Sequence, residues 1–177
     1  MRALNRTERK VAVSNSTKAS GPREIRKISS KDCWPLRLKL LRPGQSIETV
    51  QFEGDDWPGS LHLGAFMRLQ GDETPCVGVL SLIARNELFE KSSKEFQLRG
   101  MAVEPSLQGQ GVGAELLAEG IRWAKETGIH MIWCNARTPV LNFYRKFGFA
   151  SEGEEFDIPL GGPHYRMRWG RETKVPD

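Results

Sequence analysis

Between Leu61 and Leu69 the apolar residues Leu61, Leu63, Ala65, Met67 and Leu69 alternate with His62, Gly64, Phe66 and Arg68. A period of two is that of a half-buried strand. Upstream, the alternation of charged and apolar residues from Arg23 to Ile28 predicts a first strand, followed by a helix through Leu36, Leu40 and Leu41. The segment 42–59, rich in Gly, Asp and Pro, reads as a loop. Gln70-Gly71-Asp72-Glu73 then turns the chain into a strand over 76–83, which makes a hairpin, and Phe96 to Val103 reads as a further strand.

From residue 112 the period changes. Val112, Leu116, Leu117, Ile121 and Ala124 form one stripe, with Glu115, Glu119, Arg122 and Lys125 outside it, and Gly128 supplies a stop. A strand over 131–135 follows. Thr138 as N-cap and Pro139 at the first helical position then predict a helix that ends before Gly148. Phe149 to Ile158 and Tyr165 to Trp169 flank Pro159-Leu160-Gly161-Gly162-Pro163 as a last hairpin. The pattern is mixed α/β without an internal repeat, and 177 residues suit one compact domain.

The junction between the 96–103 strand and the long helix reads Gln108-Gly109-Gln110-Gly111-Val112-Gly113. Alternate glycines let a ligand approach the backbone without Cβ obstruction, and a helix start presents unpaired N–H groups with the positive end of the helix dipole. An anion, and a diphosphate above all, suits such a cradle. A Walker loop is excluded, because Gly113 is followed by Ala114 and Glu115 instead of Lys and Ser or Thr. The dinucleotide fingerprint is matched formally by Gly109, Gly111 and Ala114, but the next strand ends in Asn135 with no acid for a ribose.

Gln108, Gly111 and Gly113 also satisfy Gln/Arg-x-x-Gly-x-Gly/Ala, the pyrophosphate loop of coenzyme A enzymes. With Leu98-Arg99-Gly100-Met101-Ala102-Val103-Glu104-Pro105 before it and Asn142-Phe143-Tyr144-Arg145-Lys146-Phe147-Gly148-Phe149 after it, the chain resembles the GNAT superfamily of N-acetyltransferases. The resemblance runs over roughly 24–170 and is strongest over 96–150. Segments 36–56, 156–158 and 162–165 are similar to a bacterial subgroup of that family.

The resemblance implies an α+β GNAT acyltransferase fold: a mixed, mostly antiparallel sheet of about 6–7 strands, flanked by about four helices and splayed at its central parallel pair. It implies acetyl-CoA as cosubstrate, with the backbone of Met101, Ala102 and Val103 along the pantetheine arm and Gln108, Gly109, Gln110, Gly111, Val112, Gly113 and Ala114 around the pyrophosphate. Tyr144 aligns with the tyrosine that protonates the departing thiolate. Where many members carry Asn seven residues before that tyrosine this chain has Arg137, with Asn135 two residues earlier, and either can take a cofactor contact. The family has no fixed base; His164, His62, Glu154 and Glu155 are the candidates. Glu53, Asp55 and Asp56 beside Trp57 are either an attractor for a cationic amine or a solvated loop.

Composition narrows the classes. Residues 1–23 carry six basic residues against one acidic, leaving 20 against 21 in the rest, so the net charge of +4 gives the body no basic face for a nucleic-acid backbone. The basic stretch 1–23, poor in apolar residues, is expected to be a disordered tail, 24–172 the acetyltransferase domain and 173–177 a C-terminal tail. No apolar run approaches the roughly 18 residues of a membrane span. Cys33, Cys76 and Cys134 are odd in number and widely spaced, which predicts a reduced, cytoplasmic compartment, with Cys134 a buried hydrophobe. Three scattered histidines give no metal-ligand spacing, so no metal is expected. The expected partner is a small-molecule amine, with no nucleic acid and no membrane; a homodimer is compatible with the chain. A protein or peptide acceptor is the second choice. A coenzyme A-binding regulatory module without turnover and a nicotinamide dehydrogenase are readings from other classes.

Overall fold

The computed structural model describes residues 23–67, 75–84, 95–159 and 161–170. The tail 1–22, the turn 70–73 and the C-terminal residues 171–177 lie outside the described residues. Seven strands form one sheet: β1 (Arg23–Lys27), β2 (Leu61–Met67), β3 (Cys76–Ala84), β4 (Glu95–Val103), β5 (Met131–Arg137), β6 (Ala150–Ile158) and β7 (Gly162–Gly170), in the order β1-β2-β3-β4-β5-β7-β6. Every neighbouring pair is antiparallel except β4 and β5. Three α-helices occur among the described residues, α1 (Ser30–Leu41), α2 (Val112–Glu126) and α3 (Leu141–Arg145), with three short 3-10 segments in place of an expected fourth helix.

The helices explain the one departure in burial. β2 is buried along nearly its whole length instead of alternating, because α1 and α2 both pack against it from opposite faces of the sheet. The α2 face holds the main core, in which the expected stripe of Val112, Leu116, Leu117, Ile121 and Ala124 meets Leu63, Leu80, Leu82, Phe96 and Ile132. On the other face Cys33 and Leu36 of α1 meet Val79 and Ala102. α1 begins at a capping box that the hydrophobic pattern alone does not reveal: Ser29 Oγ accepts from the Asp32 N–H, and the Ser29 N–H donates to Asp32 Oδ2 at 2.9 Å.

β1 begins at Arg23, where the strand was expected, and the Arg23 guanidinium is bonded to Glu115 of α2. Another boundary differs from expectation. Thr138 is not a cap for α3. A 3-10 turn, Thr138–Val140, takes up Pro139, Val140 stands at the N-cap of α3, and the Thr138 hydroxyl donates to Glu155 Oε2 at 2.8 Å. Gly148, at φ +85°, lies beyond the helix end as expected.

Candidate functional site

β4 and β5 are in register only at Glu95–Met131, Phe96–Ile132 and Gln97–Trp133. Beyond Gln97 and Trp133 their pairing stops while both strands continue, to Val103 and Arg137, so the parallel pair is splayed towards its C-terminal ends. On its other edge β4 carries a bulge. Val79 pairs with Ala102 but Ser81 with Arg99, so Gly100 and Met101 together face Leu80. Gly100 sits at φ +63°, and a Cβ there would come within 2.6 Å of Arg37 Nε. The extra residue changes the phase of the strand: Phe96 and Leu98 before it, and Met101 and Val103 after it, all pack with the α2 core.

Met101 is thereby aimed at α3. The Tyr144 hydroxyl donates to Met101 Sδ at 3.8 Å, and a Cβ on Gly113 would lie 3.0 Å from the Met101 methyl. Three segments far apart in sequence, carrying Met101, Gly113 and Tyr144, therefore converge beside the splay. Tyr144 is buried, its ring edge-on to Phe143 and Phe149 at centroid separations of 5.1 and 5.5 Å. Burial, and secondarily the nearby Cys134, pushes its phenol well above the ordinary range, so it holds its proton at neutral pH.

The glycine segment forms the start of α2. Gly109 and Gly111 are at φ +73° and +91°, a region open to glycine, and Gly111 is the N-cap without a side-chain cap. Among the described residues nothing accepts from the N–H groups of Gly109, Gly111, Val112, Gly113 or Ala114, while the Gln108 and Gln110 side chains brace the loop on Val103 O and Ser106 O at 3.0 and 2.8 Å. The open N–H groups, the exposed glycine surface and the helix end make a fit for a diphosphate.

Of the acidic trio Glu53 and Asp56 are exposed, but Asp55 is buried. Arg37 of α1, fully buried, makes a two-point ion pair with Asp55 at 2.6 and 3.1 Å, and donates also to Val50 O and Ser81 Oγ. The loop is therefore not simply solvated, and the Asp55 charge is already matched by a cation. Asp56, exposed, accepts from Ser30 Oγ at 2.6 Å, and Trp57 is half-buried. Arg37 is a residue that sequence reasoning missed.

His62 closes this network. Its Nε2 lies 2.7 Å from the Asp55 carbonyl, which only accepts, and its Nδ1 lies 2.7 Å from Ser81 Oγ. Both ring nitrogens are engaged. His164, also buried, differs: Nδ1 donates to Gly162 O at 2.7 Å, and no described residue bonds Nε2. Of the carboxylates, Glu155 accepts from Thr138, and Glu154 is exposed. Asn135 lies on β5 just past the last parallel pair, with a buried side-chain oxygen that has no partner, and Arg137 is exposed at the strand's end. Cys134 is buried, which pushes its thiol up to about 12, and Cys33 rises to about 11 for the same reason. Among the described residues no group of three His, Cys, Asp or Glu is placed to hold a metal ion, and no helix is long and apolar enough to cross a membrane.

Comparison with known proteins agrees with this geometry. Residues 32–149 match the Acetyltransferase (GNAT) family. Over 144 residues the chain is 33% identical to Uncharacterized N-acetyltransferase YitI of Bacillus subtilis, covering 81% of this chain and 93% of the relative. In fold it is similar to Escherichia coli ElaA, with a TM-score of 0.65 at 19% identity over 83% of this chain and 99% of that one. A GCN5-related N-acetyltransferase from Kribbella flavida gives 0.64 at 20% identity over 84% and 98%.

Proposed function

The chain belongs to the Acetyltransferase (GNAT) family, and from that premise we propose that it moves an acetyl group from acetyl-CoA to the primary amine of a small molecule by direct attack. The observation that carries the reading is the convergence of Met101, Gly113 and Tyr144 beside the unpaired ends of β4 and β5. Bound acetyl-CoA supplies a thioester carbonyl to which an amine adds, so that a C–N bond forms, the C–S bond breaks and the sulfur leaves as a thiolate.

The chain's own groups do the rest. The open N–H groups of Gly109, Gly111, Val112, Gly113 and Ala114 hold the pyrophosphate, and the backbone of Met101, Ala102 and Val103, released from strand pairing on the β5 side, binds the pantetheine amides. An N–H of that segment directed at the thioester oxygen stabilises the negative charge that develops there, the kind of preorganised contribution that dominates many acyl transfers. Tyr144 gives its proton to the sulfur and is reprotonated from solvent. His164, the one histidine of the two candidates with an uncommitted ring nitrogen, takes the proton that the amine loses and passes it to solvent.

The test has two steps. Acetyl-CoA at about 100 times its dissociation constant should stabilise the protein by roughly 2.7 kcal/mol, and Gly111→Val should abolish the effect while the circular dichroism spectrum survives. An amine panel with acetyl-CoA, read by thiol release and mass spectrometry, then identifies turnover. A melting temperature raised by NAD but not by acetyl-CoA would overturn the assignment.

A further inference from the structure

The α1 face of the sheet beside the splay carries a different charge from the one its acidic loop suggests. Gln97 and Trp133 are paired across β4 and β5 and so point to the same face, as do Arg99 and Asn135 two residues further on each strand, where the gap has opened. The face is that of α1, because the Arg99 guanidinium lies 4.0 Å over the Phe52 ring, whose centroid is 4.3 Å from the Arg37 guanidinium. Across β5, Arg166 of β7 pairs with Asn135 and sets its guanidinium 4.7 Å from the Trp133 ring.

The charges around this ledge do not cancel. Asp55 is matched by Arg37 and Glu152 by Arg168. Among the described residues no carboxylate comes within ion-pair distance of Arg99 or Arg166. Arg99 is half-buried, and loss of hydration holds its pKa below the ordinary arginine value. Half-buried beside a gap, Arg99 feels the carboxylates of Asp55 and Glu53 but pairs with neither, and across the gap a buried amide oxygen lacks a hydrogen-bond donor. A guanidinium is also the group best shaped to take a carboxylate at two points.

We propose that the acceptor is an amino-carboxylate: its acid group lies on Arg99 and Arg166, and Asn135 receives a hydrogen from its amine. The proposal rests on the acetyltransfer reading and narrows its substrate class, since a polyamine or other polycation meets repulsion at the same ledge. Arg99 and Arg166 thus act on specificity from the face that also carries His164, while Met101 and Tyr144 stay on the opposite side of β4.

The experiment uses the full chain and two readouts. In the first, each L-amino acid is compared with its carboxamide as acceptor in the presence of acetyl-CoA, with spermidine as the cationic arm. The acid should exceed its amide by tenfold or more in kcat/KM. Arg99→Gln should raise the KM of the acid by about ten- to a hundredfold and leave the amide and the KM of acetyl-CoA unchanged. Arg166→Gln, at an exposed position, should shift preference towards the amide and spermidine. In the second, independent of turnover, N-acetyl-amino acids and their amides are titrated into the protein saturated with coenzyme A, and only the acids should bind measurably. Preference for amide or spermidine, equal binding of acid and amide, or binding of neither overturns the proposal. Absence of thiol release with selective binding of the acids overturns the acetyltransfer reading and leaves the anion site standing.

Discussion

The two faces of β4 are built by opposite means. On the α2 side the functional surface is mostly backbone: glycines at positive φ, N–H groups at a helix start and a bulge that re-aims Met101. On the α1 side it is side chain on side chain, with Arg37, Asp55, Ser81 and His62 from four separate segments in one buried network. The backbone side leaves its donors open, as the proposed cofactor site needs. The side-chain side satisfies most of its own groups and so is made to hold the loop 42–60 against the sheet. Arg99, stacked on Phe52 at the margin of that network, is the exception.

The contrast can be broken most severely at Arg37. Arg37→Leu leaves Asp55 as an unpaired buried carboxylate and should cost about 3–5 kcal/mol of stability, read as a lower urea midpoint. The double variant Arg37→Leu with Asp55→Asn removes both charges and should recover part of that loss, which is the signature of a coupled pair. Acetyl-CoA affinity of the folded fraction should be unchanged, because the cradle shares no member with the network. A large loss of cofactor affinity in the folded single variant would show that the two faces are not independent.

Tyr144→Phe tests the other face. The substitution keeps the ring among Phe143 and Phe149 and removes the hydroxyl, so turnover should fall by about 10² while acetyl-CoA affinity holds. Because burial raises the phenol, loss of the Tyr144 proton should not shape the wild-type rate profile below about pH 10. Near-wild-type turnover in the variant, or a fall in stability that accounts for the whole loss, would leave Tyr144 a core aromatic.

Legibility in the sequence divides along the same line. The conformation of the proposed cradle was legible because its determinants lie within seven consecutive residues and depend on where Cβ atoms are absent. Tyr144 was singled out by the resemblance, on a helix ending in Gly-Phe, and the structure sets its hydroxyl against Met101. The Arg37–Asp55 pair was not, since its partners are separated by 18 residues and Arg37 stands in the core-facing stripe with Cys33 and Leu36, where an apolar residue is the ordinary choice. The same limit explains Asp55: a Gly-, Asp- and Pro-rich segment reads as solvated loop until a buried cation is known to wait beneath it. β2 was misread on burial alone, because alternation reports one covered face and is silent about a second helix behind the other. The bulge had a signal that was passed over, a glycine inside the strand at position 100.

Each face seals one thiol completely, Cys33 on the α1 side and Cys134 on the α2 side, and pH can compare them. Burial raises Cys33, on the α1 side, to about 11 and Cys134, on the α2 side, to about 12, from the ordinary 9.0. Above about pH 9 the unfolded chain releases protons that the native state still holds, so stability falls as pH rises, by about 1.4 kcal/mol per pH unit for each thiol. Below pH 9 neither contributes. Urea midpoints between pH 8 and 10.5 should decline, and Cys33→Ala and Cys134→Ala should each remove one thiol's share of the slope. If either variant leaves the slope intact, its thiol is not sealed from water in solution and the face it belongs to opens.

The smallest effect should come from the side-chain ion pair beside the proposed cradle. Arg23 reaches from β1 to Glu115 of α2 with a closest approach of 2.5 Å, and its Nη2 lies 3.5 Å from where a Cβ on Gly111 would stand. Glu115 is partly open to solvent, so the pair itself should be worth about 1 kcal/mol or less, and Arg23→Gln should change the melting temperature little. A guanidinium this close to the open N–H groups nevertheless adds positive potential to the site, and Glu115 offsets it. Arg23→Gln should therefore weaken acetyl-CoA binding a few-fold at low ionic strength and less at high salt, while Glu115→Gln should strengthen it by a similar factor. Calorimetric titration at two salt concentrations measures both. If neither variant moves the affinity, the cradle works by its backbone dipoles alone and the contrast between the two faces of β4 is complete; if Arg23→Gln costs more than tenfold, a side chain from the first strand belongs to the cradle, which local sequence could not reveal because 92 residues separate Arg23 from Glu115.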